Sequence, residues 1–149
     1  MTAVKNRVAV LHGVNFDVLE RRDASIYGGI SLSQLEQRIS DWAHELELEP
    51  IFFQTNAEGE FCEYLHRSAE LADSVIVNAG AWTHYSRAIA DALELTRLPA
   101  VEVHLSDVEA RDDWRKVSVF DGLVLAKVAG KGPDGYREAL ELLAGELGT

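Results

Sequence analysis

The chain has 149 residues, of which 47% are hydrophobic and 26% charged, enough for one domain with a real core, too few for two, and too apolar for a disordered segment. Its 14 Lys and Arg against 25 Asp and Glu give a net charge of −11, which argues against non-specific binding to nucleic acid or an anionic membrane. A small anionic ligand stays open, provided that several arginines converge on one place. Cys62 is the one cysteine, so an intrachain disulfide and a cysteine-based metal cluster are both excluded.

The opening MTAVKNRVAVLHG lacks the long apolar stretch of a signal peptide, and no run approaches the roughly 18 apolar residues of a membrane helix. The expectation is a soluble, cytoplasmic protein. In chain order, short apolar runs predict strands at Val8–Leu11, Pro50–Gln54, Ser74–Asn78, Ala100–His104 and Leu123–Val128. Helix-period segments alternate with them near Leu32–Leu46, Glu60–Leu71, Ser86–Leu95 and Tyr136–Leu147, and Val108–Asp112 adds one turn. The first helix carries Leu32, Leu35, Ile39, Trp42, Ala43 and Leu46 on one face, with Ser33 and Glu36 as its expected capping box. Alternating strands and helices with continuous apolar strands imply a parallel sheet covered on both faces. The predicted fold is a single domain over residues 1–149: a flavodoxin-like three-layer α/β sandwich with strand order 2-1-3-4-5. Residues 12–30 form the longest non-periodic segment, and a segment of that length is expected to be an active-site lid.

In such a fold ligands bind at the carboxyl ends of the strands. Strand one delivers His12, Gly13 and Asn15 there, followed by Arg21, Arg22 and Tyr27 in the lid. Strand three delivers Asn78, Gly80, Trp82 and His84. The most informative stretch is VEVHLSDVEAR (101–111): a buried strand ends on His104, and Leu105-Ser106-Asp107 opens a helical turn with free backbone N–H groups. That places a general acid beside an anion site, with Arg111 and Arg115 following. Glu102 lies inside the same buried strand and requires a partner, because an unpaired buried carboxylate is very costly. The strand-five end, Gly130-Lys131-Gly132, has neither the dinucleotide nor the P-loop spacing. No two histidines stand four apart, so a metal is not expected.

These residues, in this order, resemble the type II 3-dehydroquinate dehydratases. The most specific pieces are RRDASIYGG (21–29), VNAGAWTH (77–84), RAIADAL (87–93), VEVHLSDVEAR (101–111) and GKGPDGYREAL (130–140). The resemblance implies a lyase of the shikimate pathway, and so of aromatic amino acid biosynthesis. It implies anti elimination of water from 3-dehydroquinate through an enolate, a homododecamer built from trimers, and no cofactor. It makes Tyr27 the base, His104 the general acid, Arg22 the lid arginine that supports the tyrosine, and Asn15 a holder of the water that stabilises the enolate. Asn78, His84 and Arg115 become ligands of substrate hydroxyls, and Leu105 and Ser106 meet the substrate carboxylate. Asp91 would reach substrate from a neighbouring subunit, with Glu102 and Arg111 as supporting groups. An ordinary tyrosine, with a pKa of about 10, is almost wholly protonated at neutral pH, so a base of this kind needs a cation beside it.

The chain departs from the family pattern where NGPN becomes HGVN (12–15), where Ala24 replaces a proline, where Glu20, Trp82, Tyr85, Asp107 and Glu109 stand for other residues, and where HHSY becomes KVSV (116–119). Val14 and Ala24 should loosen the lid, and the added acids near Arg111 should weaken anion binding. Two other readings stay open: a diverged paralog acting on a related cyclic hydroxy acid, and a non-catalytic flavodoxin-like binding module. Against the module, a receiver needs acids where His12 and Asn78 stand, and HGVNFD lacks the hydroxyls of a flavin phosphate loop. A Schiff-base route needs a desolvated lysine, and Lys5, Lys116, Lys127 and Lys131 match no such site.

Overall fold

The computed structural model describes residues 4–148; residues 1–3 and 149, which the single-domain expectation includes, lie outside the described residues. Five strands, β1 (Arg7–His12), β2 (Glu49–Gln54), β3 (Ser74–Asn78), β4 (Ala100–His104) and β5 (Ala126–Ala129), pair in parallel in the order β2-β1-β3-β4-β5. Side chains alternate across a strand, and both faces are apolar. Val8, Val10, Ile76, Val101 and Val103 face helices α2 (Leu32–Glu45) and α5 (Asp134–Leu147). Ala9, Leu11, Val75, Val77 and Ala100 face α3 (Glu58–Leu71) and α4 (Arg87–Thr96). This is the predicted three-layer sandwich. Among the described residues no helix is long and apolar enough to cross a membrane.

The same alternation decides where the polar residues at the strand ends point. His12 follows Val8 and Val10, and Asn78 follows Ile76, so both face α5; the two are register partners. Glu102 and His104 follow Ala100 and face the other way.

Three local expectations need correction. The capping box of α2 is Ser31 with Gln34, two residues earlier than expected. Ser31 Oγ accepts from Gln34 N (3.2 Å), and Gln34 Oε1 accepts from Ser31 N (3.0 Å). Ile30 and Leu35 share the core below it, the placement of a hydrophobic staple that sets the helix entry at Ser31. β5 begins at Ala126 rather than Leu123, because Phe120–Leu123 turns back on itself (Leu123 N to Phe120 O, 2.8 Å) with Gly122 at φ 84°. The segment 12–30 is not a bare loop: it holds a 3-10 segment at Phe16–Arg21 and a short helix α1 (Ala24–Tyr27) capped by Asp23.

The β1 and β3 ends meet at their closest where Gly13 N donates to Asn78 O (2.9 Å). A Cβ on Gly13 would stand 2.2 Å from Ala79 O, so this crossing tolerates only glycine. Gly13→Ala should lower unfolding stability by about 3 kcal/mol, near the upper end of overpacking costs, as read from urea denaturation at pH 7. An unchanged midpoint would contradict the packing.

Candidate active site

The strand ends open into a cleft lined by Asn15, Arg22, Tyr27, Asn78, His84, His104, Leu105, Ser106, Arg111 and Arg115, together with Phe16, Gly80, Ala81 and Val108. Ten of the twelve expected site residues therefore line one cavity. Glu102 lies fully buried behind it, and Asp91 is exposed on α4, outside the cleft of its own chain. Arg21 is exposed, whereas Arg22 turns inward, a distinction that the adjacent pair in the sequence does not make.

The lid brings Tyr27 to the cleft. Asp23 Oδ1 accepts from Ser25 N (2.9 Å) and Ser25 Oγ (2.7 Å), which starts α1, and the helix closes on Gly28 in the left-handed region. Tyr27, 8% exposed, receives hydrogen bonds on its hydroxyl from Arg22 Nη2 and from Arg111 Nη1 (2.6 Å). The Arg22 guanidinium also sits 4.0 Å from the ring centroid. Negative charge formed on the phenol oxygen would thus be met by two charge-assisted donors.

His104 faces the cleft from β4. Its Nε2 lies 2.5 Å from Glu102 Oε2, which leaves Nδ1 as the ring nitrogen for a ligand. Glu102 finds the partner it requires twice over, because Ser118 Oγ lies 2.9 Å from both carboxylate oxygens. Ser118 was not singled out in the sequence; the one signal was the demand of a buried acid for a donor, which names no position.

His84 stacks beside His104, with ring centroids 6.2 Å apart. Its Nδ1–H donates to Val117 O (2.7 Å), so Nε2 is left as an acceptor. Burial first, with the nearby charges of His104 and Arg115, holds this imidazole below its ordinary value against the opposing pull of the Val117 carbonyl and Glu102. Arg115 rests on the Trp114 ring at 4.1 Å, and its Nε is buried without a hydrogen-bond partner. Burial first, then the Arg111 and Arg22 charges, lower its guanidinium from the usual value. Three cations crowded at one cleft create a local demand for an anion.

Leu105 and Ser106 are held by the glycines after β5. Gly130 N donates to Ser106 O (3.0 Å) and Gly132 N to Leu105 O (3.1 Å). Because N–H and C=O point opposite ways across a trans peptide, engaging the Leu105 carbonyl turns the Ser106 N–H away from the glycine turn. Lys131 itself points elsewhere, to Glu138 (2.5 Å). The expected interference from the added acids is not found in the geometry. Asp107 caps the turn at Glu109 N (3.2 Å), Glu109 lies 3.8 Å from Lys127 Nζ, and neither lines the cleft.

Asn15 takes a left-handed backbone (φ 72°) and its N–H donates to Asn56 Oδ1 (2.7 Å), a β2-side anchor with no marker in the sequence. His12, read as a rim residue, is instead fully buried, with Nε2 2.8 Å from the Tyr136 hydroxyl. Among the described residues no group of three or more His, Cys, Asp or Glu is placed to hold a metal ion.

The dehydroquinase class II family profile matches residues 6–144. A 3-dehydroquinate dehydratase of Syntrophotalea carbinolica is 46% identical over 135 residues, covering 90% of this chain and 91% of the relative. One from Pelotomaculum thermopropionicum is 42% identical over 143 residues, covering 96% and 99%. The crystal structure of a type II dehydroquinase from Propionibacterium acnes superimposes with a TM-score of 0.90 at 36% identity, covering 97% of this chain and 99% of that one.

Burial pushes the His12 imidazole down to about 3. A group whose folded value is depressed contributes stability that is complete above its ordinary value near 6.5 and is lost as pH falls toward about 3. Between those limits the chain should lose about 1.4 kcal/mol of stability per pH unit through this residue alone. Urea denaturation at pH 7 and pH 5 should show that extra slope in the parent and not in His12→Gln. Parallel slopes would rule it out.

Proposed function

Since the chain belongs to the class II dehydroquinase family, we propose that this cleft dehydrates 3-dehydroquinate to 3-dehydroshikimate by anti elimination through an enolate. The observation that carries the reading is the placement of Tyr27, between two guanidinium donors, in one cleft with His104 on its buried carboxylate.

The roles follow from the groups. Tyr27, as phenolate, takes a proton from the carbon next to the ketone, and the electron pair of that C–H bond becomes the enolate. Arg22 and Arg111 hold the anionic oxygen before the step. A water held near Asn15 stabilises the enolate oxygen. Re-formation of the ketone then expels the hydroxyl two carbons away, and His104 supplies the proton that makes it leave as water. Glu102 steadies the ring and the positive charge of His104, and Ser118 steadies Glu102. The proton taken by Tyr27 returns to His104, which closes the cycle with one water released.

Asn78, His84 and Arg115 bind the substrate hydroxyls, and Leu105 and Ser106, with the cationic wall, bind its carboxylate. Residues 1–149 act as one catalytic domain with 12–30 as the lid. Val14 and Ala24, which lack the rigidity of proline, give that lid freedom to open. The exposure of Asp91 on α4 supports a role at the cleft of another subunit in a dodecamer built from trimers. The role fits a cytoplasmic enzyme of aromatic amino acid biosynthesis.

Tyr27→Phe should leave the fold intact and reduce turnover at least about a hundredfold, since a general base contributes roughly 10²–10⁴. The check is the ultraviolet absorbance of the conjugated enone on adding protein to 3-dehydroquinate. Turnover at the parent rate would exclude Tyr27 as the base, and a flat trace with the parent would exclude the reaction.

A further inference from the structure

Behind the cleft, three residues from three elements form one hydrogen-bonded line. Asn78 Nδ2 donates to the Tyr136 hydroxyl (3.0 Å), and that hydroxyl lies 2.8 Å from His12 Nε2. Tyr136 and His12 are fully buried, and Asn78 is 3% exposed. The period-2 placement of His12 and Asn78 on the α5 face, in register, brings them together under Tyr136 in the first turn of α5.

The direction of every bond in this line is set from one end. The Gly80 backbone N–H can only donate, and it lies 3.4 Å from Asn78 Oδ1. That holds the Asn78 carbonyl at Gly80 and turns its NH2 to Tyr136. The Tyr136 oxygen therefore accepts, and its single proton goes to His12 Nε2. His12 must then carry its own proton on Nδ1, and Nδ1 is the ring nitrogen found buried without a partner. A buried unpaired donor is an expense that a core normally avoids. Here it is the far end of a line whose near end lines the cleft.

We propose that His12 and Tyr136 are positioning residues that reinforce the donor–acceptor polarity that Gly80 gives Asn78, so that Asn78 offers its second amide proton, and not its oxygen, to a substrate oxygen. The proposal rests on the dehydratase reading of the cleft. The logic lies in what happens without His12. Tyr136 would regain a free proton, which Asn78 Oδ1 could accept after an amide flip at the expense of the 3.4 Å contact with Gly80, so the preference of Asn78 for one orientation would weaken. With His12 as the acceptor, only one orientation satisfies both Gly80 and Tyr136.

The test compares steady-state kinetics on 3-dehydroquinate for the parent, Tyr136→Phe, His12→Leu, His12→Gln, Asn78→Ala and the Tyr136→Phe/Asn78→Ala double variant. Tyr136→Phe and His12→Leu should raise KM about tenfold, the scale of one misdirected hydrogen bond, with kcat within about twofold. His12→Gln, which restores an acceptor at the reach of Nε2, should return KM to the parent value. In the Asn78→Ala background, Tyr136→Phe should cost nothing more, because residues acting through one group are not additive. Additive losses, a fall in kcat at unchanged KM, or a silent His12→Leu would overturn the proposal. A readout independent of turnover is the ¹⁵N spectrum of His12 in the intact protein. The Nδ1–H tautomer is expected, and the Nε2–H tautomer would overturn the line even if the parent proved inactive. A parent without turnover would overturn the dehydratase reading alone.

Discussion

The arrangement depends on the register in which β1, β3 and β4 pair. His12 lies opposite Asn78, and Val77 opposite Glu102. In a sheet buried on both faces, a slip of one residue would turn each strand inside out. His12 and Asn78 would leave Tyr136, and Glu102 would leave Ser118. The contact of Gly13 with Ala79 pins that register at the cleft end, where both strands stop. The functional rim is thus a by-product of strand pairing. Once the apolar residues are in register, the polar residue that ends each strand has one direction left to point.

The buried polar groups sort by face. On the α3/α4 side, Glu102, His104 and Ser118 are joined by hydrogen bonds; on the α5 side, Asn78, Tyr136 and His12 are joined likewise, with His12 Nδ1 left over. His104 and Asn78 are the members of the two sets that line the cleft. Each set therefore has one member that reaches the cleft. This is how a small α/β core holds six hydrogen-bonding side chains without leaving a carboxylate stranded.

Much of this was legible in the sequence, and the gaps have physical causes. The strand order and most element bounds followed from period and length alone. The start of β5 is not legible, because Leu123 and Val124 are apolar for packing reasons while the backbone there turns. The capping box is ambiguous in the sequence, because two serine-led candidates stand two residues apart, and only the burial of Ile30 chooses between them. The rim residues were readable because a polar residue at the end of an apolar strand is conspicuous. Ser118, Asn56 and Tyr136 were not, because each acts across the fold: Tyr136 meets Asn78 from 58 residues away and Ser118 meets Glu102 from 16. For His12 the sequence suggests a rim group, because its position at a strand end says nothing of what α5 places over it.

The contrast between an acidic body and a cleft walled by Arg22, Arg111 and Arg115 bears on encounter rather than chemistry. A carboxylate ligand far from the molecule feels the net −11 and is repelled; within a few ångströms of the cleft it feels the three guanidinium groups. Salt separates the two ranges, since the Debye length is about 30 Å at 0.01 M and about 8 Å at 0.15 M. Added salt first erases the long-range repulsion and leaves the short-range attraction largely in place. Capture of an anion by this protein would therefore quicken as salt rises from very low values, opposite to the behaviour of sites whose whole surface shares the sign of the pocket.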